Sequence, residues 1–126
     1  MADHPSILGI LFIFLCVGFT VIGQILVKMG MLEVGQSPSE LGPMVIFIFS
    51  SLTNLRVLLG LGCAIAAALT WIIAISRSSL SFAYPFMALT VVLVLIMSGV
   101  IFKENIPINR WIGVGIVCTG IIIASR

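Results

Sequence analysis

Ile7–Met29 reads ILGILFIFLCVGFTVIGQILVKM, 23 residues with a single charge, Lys28, near the far end. A helix crossing the roughly 30 Å hydrocarbon core of a bilayer needs about 20 mostly apolar residues. This stretch therefore reads as a membrane span, and the rest of the chain is read outward from it. Ser6 follows Pro5 and is placed to cap the start of the helix. Gly30 and the polar residues from Glu33 to Gly42 are expected to end it. The opening residues, Met-Ala-Asp-His-Pro-Ser, lack the basic start and small-residue cleavage site of a signal peptide, so the first span is read as retained.

Composition agrees with lipid as the solvent. Of 126 residues, 61% are hydrophobic and 8% charged, where a soluble domain carries about a quarter charged. The mean hydropathy is +1.35. Three more spans are expected, over residues 56–75, 80–102 and 111–125, the third with Pro85 in its first turns and the last anchored by Arg110 and Trp111. Residues 43–54 are too few to cross. Joined to the following span from Met44 to Ile75, they would give a helix of about 48 Å, too long for the core. They are read as a short interfacial or partly re-entrant helix. The expectation is an all-α membrane protein, a single transmembrane domain over 1–126 with four transmembrane helices. Four helices fill their own interior, so a cargo path is expected between copies, in at least a dimer. Lys28, Arg56, Lys103 and Arg110 flank the first and third connections, against Arg77 and Arg126 at the other side; this four-to-two split favours both termini outward and leaves insertion in both orientations open. The net charge of +2, with no basic run, carries no footprint for nucleic acid.

No catalytic constellation is visible, so no enzyme, cofactor or metal site is expected. Cys16, Cys63 and Cys118 lie inside apolar runs without ligand spacing, and the only histidine is His4. All four acids, Asp3, Glu33, Glu40 and Glu104, fall in termini or connections. A proton-coupled cation exporter needs a carboxylate inside the bilayer; these spans have none. The first span instead carries Thr20, Gln24 and Lys28 at i, i+4 and i+8, on one helix face. A lysine facing lipid near a helix centre costs about 2.5–3.5 kcal/mol. Two readings follow. Lys28 snorkels to the interface while Gln24 bonds a neighbouring backbone, or the face is a polar track whose ammonium meets an anionic head group. Tyr84 either belongs to the aromatic belt or presents its hydroxyl to cargo. Gly113 and Gly120, seven residues apart, mark a face for helix packing within or between subunits, and Gly60, Gly62 and Ala64 do the same for the second span.

Three stretches carry a resemblance. They are Gly23-Gln24-Ile25-Leu26-Val27-Lys28; Ala83-Tyr84-Pro85, shortly after Arg77 and Leu80; and Lys103-Glu104-Asn105-Ile106-Pro107, running into Arg110-Trp111-Ile112-Gly113 and Cys118-Thr119-Gly120. Together they resemble the small four-helix branch of the drug/metabolite transporter superfamily, and within it the EamA-like flippase subunits for undecaprenyl-phosphate-linked aminoarabinose, which share the small multidrug resistance fold. The resemblance implies four spans, an antiparallel homodimer or a heterodimer with a paralogue, and dimer contact through the glycine face of the fourth span. It departs from the multidrug members where their first span has a glutamate, here Thr20, and where their third span has a tryptophan and a glycine kink, here Met87, Ala88 and Leu89.

The function this implies is translocation of a polyprenyl-phosphate-linked sugar across the inner (cytoplasmic) membrane by a multi-pass protein in contact with membrane lipids. Thr20, Gln24, Lys28 and Tyr84 are the candidate substrate-binding residues. Two alternatives stay open. An efflux transporter of small or cationic metabolites needs a coupling group that the spans do not offer. An accessory subunit of a membrane glycosyltransferase has no need of a polar face on the first span.

Overall fold

A computed structural model describes residues 6–126; Asp3 and His4 lie outside them. The described chain is helical: α1 Ile7–Val34, α2 Leu41–Ser51, α3 Leu55–Arg77, α4 Leu80–Met87, α5 Leu89–Ile101 and α6 Ile108–Ala124.

Each helix starts and stops for local reasons. Ser6 Oγ accepts from the Gly9 N–H at 3.0 Å, capping α1 as its place in the sequence suggests. The other end is corrected. α1 does not stop at Gly30 but runs on to Val34, where Gly35 takes φ 104° and donates its N–H to Met31 O. Gly30 is a packing residue: a Cβ there would meet Val57 Cγ2 at 2.6 Å. The short helix expected before the second span forms as α2, shifted toward its N-terminus, with Pro43 in the first turn, where no intrahelical N–H is needed. Asn54 caps α3 by accepting from the N–H groups of Arg56 and Val57.

The segment expected as one helix over 80–102 is broken in two. Pro85 supplies no N–H, and the chain tightens after it: Ala88 N–H donates to Pro85 O at 3.2 Å and Val91 N–H to Ala88 O at 3.1 Å. These are three-residue steps in place of the α-helical four. Beyond α5, Lys103 sits at φ 51°, a left-handed position that reverses the chain. Ile106 then folds back onto Gly99, whose missing Cβ would lie 2.9 Å from Ile106 Cδ1.

The packing centre is the antiparallel pair α1 and α3. Gly9, Cys16, Gly23 and Gly30 recur every seven residues along α1 and all are buried. At the crossing the two backbones touch. A Cβ on Gly23 would lie 2.9 Å from Gly60 O, and one on Gly60 would lie 2.7 Å from Gly23 O. Where lipid removes the hydrophobic drive between helices, such close approach through small residues is what holds them. A second contact centre sits at the turn between α3 and α4. Ile13, Ala74 and Ala83 are buried there beneath Phe12, Trp71, Phe82 and Phe86.

α6 differs. It starts at Ile108 rather than Trp111, and none of its residues is buried. No atom lies within 4 Å of where a Cβ would stand on Gly113, Gly115 or Gly120. Among the described residues the glycine face of α6 therefore packs on nothing in its own chain, which leaves the reading of a contact between subunits.

Ile7, Ile46, Val100 and Ile123 are among many large apolar residues left exposed. α1, α3 and α4 with α5 taken together, Leu80–Ile101, are each long and apolar enough to cross a membrane. The outward face is thus a lipid surface, and the chain is a multi-pass membrane protein.

Candidate functional site: a polar groove along the first helix

Gly60, Ala64 and Ala67 recur on one face of α3 and leave it without bulk. Opposite them, Thr20, Gln24 and Lys28 of α1 line the open groove this creates, of about 560 Å³. The spacing read from the sequence thus becomes one continuous wall. Much of the remaining lining is apolar, from Val27, Met31 and Leu61.

The three polar side chains are differently engaged. Thr20 Oγ1 donates to Cys16 O at 2.7 Å, so its proton is taken and its oxygen is left as an acceptor. Gln24 is exposed and borders this groove and two smaller ones facing α5. Lys28 neither snorkels alone nor waits unpaired: its Nζ lies 3.6 Å from Glu104 Oε1, with both side chains about half exposed.

Glu104 was not read from the sequence as part of the site. The turn at Lys103 and the Ile106–Gly99 contact bring it back against α1. There Ser98 Oγ donates to Glu104 Oε2. That hydrogen bond, more than the nearby Lys28 ammonium, holds the Glu104 carboxyl below the ordinary glutamate range, against a smaller opposing effect of desolvation. Gln24, Lys28, Ser98 and Glu104 together border a cleft of about 240 Å³ between α1 and α5. The signal available in the sequence was an isolated lysine in need of a partner and an acid at the end of the third span.

Tyr84 is not in the main groove. It lines an adjoining cleft of about 290 Å³ with Cys16, Ala68, Trp71 and Met87, and Thr20 and Ala67 are common to both spaces. Its ring packs edge-on to Trp71, with centroids 5.6 Å apart. The polar face thus runs from Lys28 inward to Thr20, about 12 Å along α1, and opens there onto an aromatic cleft.

At the Lys28 end, Arg56 pairs with Glu33 at 2.9 Å, and Asn54 Nδ2 donates to the same carboxylate. Among the described residues no three potential metal ligands cluster. The site offers one ammonium, one carboxylate and a row of neutral polar groups above an apolar floor. That chemistry suits an amphiphile with a charged, hydroxylated head.

Comparison with known proteins gives the same direction. No family model matches the chain, and no solved structure does. It is similar to the "Probable 4-amino-4-deoxy-L-arabinose-phosphoundecaprenol flippase subunit ArnE" of Pseudomonas fluorescens, at 27% identity over 125 residues, 94% of this chain and 98% of the relative. The chain resembles these flippase subunits along nearly its whole length. The counterpart in Aeromonas hydrophila is 42% identical over 60 residues, 48% of this chain, and there the chain spans about half the length of the relative. That of Salmonella paratyphi B is 34% identical over 65 residues, 52% of this chain and 59% of the relative.

Proposed function

We propose that the chain is a subunit of a flippase that carries a polyprenyl-phosphate-linked sugar across the inner (cytoplasmic) membrane, and not an enzyme. The observation that carries this reading is the groove in which Thr20, Gln24 and Lys28 stand in line above an apolar floor. Cargo of the kind named for the flippase-subunit relatives has a head group with a phosphate and hydroxyls, and a hydrocarbon tail that stays in lipid.

Each side chain has a part. The Lys28 ammonium attracts the phosphate as a point charge. The Gln24 amide donates and accepts, and Thr20 accepts from a sugar hydroxyl. Tyr84, in the adjoining cleft, receives the head group as it moves inward from Lys28. The wall of this path is open on one side, so the tail need not leave the bilayer. The four cations of the first and third connections support placing the Lys28 end at the cytoplasmic face, where the cargo loads.

In this reading the domain over 1–126 has the small multidrug resistance-like fold with four transmembrane helices, α6 being the fourth. Its 17 residues span about 26 Å, close to the core thickness. Its unpacked face, with Gly113 and Gly120, meets a second copy or a paralogue. The working form is then a homodimer or heterodimer.

Trp71 and Tyr84 give a second reading one point in its favour, because aromatic rings also hold cations. Binding to the protein in nanodiscs separates the two. The flippase reading predicts salt-sensitive binding of a polyprenyl-phosphate sugar, weakened by Lys28→Ala. Binding of a quaternary-ammonium compound with none of the lipid would replace it with cation efflux.

A further inference from the structure

The Lys28–Glu104 pair poses a problem for any purely anionic head group. A phosphate reaching Lys28 must draw it away from a carboxylate held 3.6 Å from its nitrogen. Glu104 would then lose its nearest cation, keeping only the weaker influence of Arg110, beside an incoming negative charge. Nor is Glu104 free to swing clear. Ser98 holds one carboxylate oxygen, the left-handed turn at Lys103 fixes the approach of the chain, and Ile106 is seated on Gly99. Glu104 and Lys28 border one small cleft, and Lys28 borders the main groove as well. A head group bound at this junction meets both charges at once.

A head group with both signs removes the conflict. Its phosphate takes Lys28, its ammonium takes Glu104, and neither protein charge is left unpaired when the salt bridge opens. An exchange of partners of this kind keeps every charge hydrogen-bonded, which is the condition for moving charges without a large desolvation cost.

We infer that Glu104 is a specificity-determining residue that selects a zwitterionic, amine-bearing phospho-sugar head group by exchanging Lys28 for the cargo's ammonium. This rests on the flippase reading and adds to it. A neutral sugar on the same phosphate leaves Glu104 with only the weaker influence of Arg110 and binds less well. Gln24 and Ser98, on the border of the same cleft, are placed for the ring hydroxyls.

The experiment uses the full chain in nanodiscs with two probes. One is undecaprenyl phosphate carrying 4-amino-4-deoxy-arabinose; the other is the same lipid carrying arabinose. Wild type should bind the amino form about tenfold or more tightly, the scale of one charge-assisted hydrogen bond. Glu104→Gln should bind both probes alike, and Glu104→Asp, which keeps a charge for Lys28 and so guards the fold, should show a reduced preference. A preference undiminished in both variants overturns the assignment, as does a wild type that binds both probes equally. If wild type binds neither probe, it is the flippase reading that fails, and this inference falls with it.

Discussion

At the scale of single residues, the polar face of α1 was legible and its partner was not. Thr20, Gln24 and Lys28 follow from helical periodicity, because a face is a local property. The Lys28–Glu104 pair joins opposite parts of the chain through a turn whose course depends on Lys103 taking a left-handed conformation and on Ile106 finding Gly99. Nothing in the local sequence requires either. The turn itself is testable. A β-carbon at φ 51° costs about 1 kcal/mol. Lys103→Gly should therefore raise stability by roughly 0.5–1 kcal/mol in thermal unfolding in detergent, and a clear loss would contradict the turn described. The carboxylate makes a second prediction. Glu104 has a native pKa below its ordinary value, so its contribution to stability is complete above the ordinary glutamate range and is lost as pH falls through the lower native value. The Glu104 carboxyl, followed by NMR, should titrate below the ordinary glutamate range. Ser98→Ala should move the midpoint upward, because Ser98 is the larger cause. A wild-type midpoint at or above the ordinary value would remove the network.

At the scale of elements, the helices were legible, and so was one side of the seam that packs them, Gly60 of α3, but not the glycines of α1 that meet it. Expectation fell on Gly60, Gly62 and Ala64 of α3 and on Gly113 and Gly120 of α6, and the α6 pair meets nothing among the described residues of its own chain. The working seam is the heptad of Gly9, Cys16, Gly23 and Gly30 on α1, a pattern present in the sequence but hidden inside an otherwise uniform apolar run. Gly60 answers it from α3. Gly60→Ala would bring a methyl to 2.5 Å from Val27 Cγ2 and 2.7 Å from the Gly23 carbonyl oxygen. Overpacking against backbone should lower stability by about 1–3 kcal/mol. Gly113→Ala, with open space around it, should leave a single chain unharmed or gain up to about 1 kcal/mol in helix propensity. Equal losses at both positions in detergent unfolding would contradict the packing described. The break at Ala88 has a similar lesson. Pro85 announced a disturbance in the third span, but where the helix resumes depends on the shortened hydrogen bonds that Ala88 and Val91 make.

At the scale of the whole molecule, composition alone marked a membrane protein, and the exposed apolar surface agrees with it. The number of crossings is less direct. Three segments meet the length of a full span, while α6, at 17 residues, is short and stands largely unpacked. On the proposed dimer, that helix is completed by a partner. Gly113→Leu combined with Gly120→Leu should shift the protein from dimer to monomer in native mass or cross-linking measurements. The fold of each chain should persist, because those positions face open space within it. A dimer that survives the double substitution would place the interface on another face.

The central claim is that the α1 groove conducts a phosphate-bearing head group between leaflets, and translocation tests it most directly. The purified protein, reconstituted into vesicles with any partner subunit it needs, would be given a polyprenyl-phosphate sugar in one leaflet, and exposure of its head group in the other would be followed. The account predicts protein-dependent exposure that falls at least tenfold in Lys28→Ala, the loss of one charge-assisted contact, at unchanged expression and fold. Translocation at the wild-type rate in Lys28→Ala would contradict it.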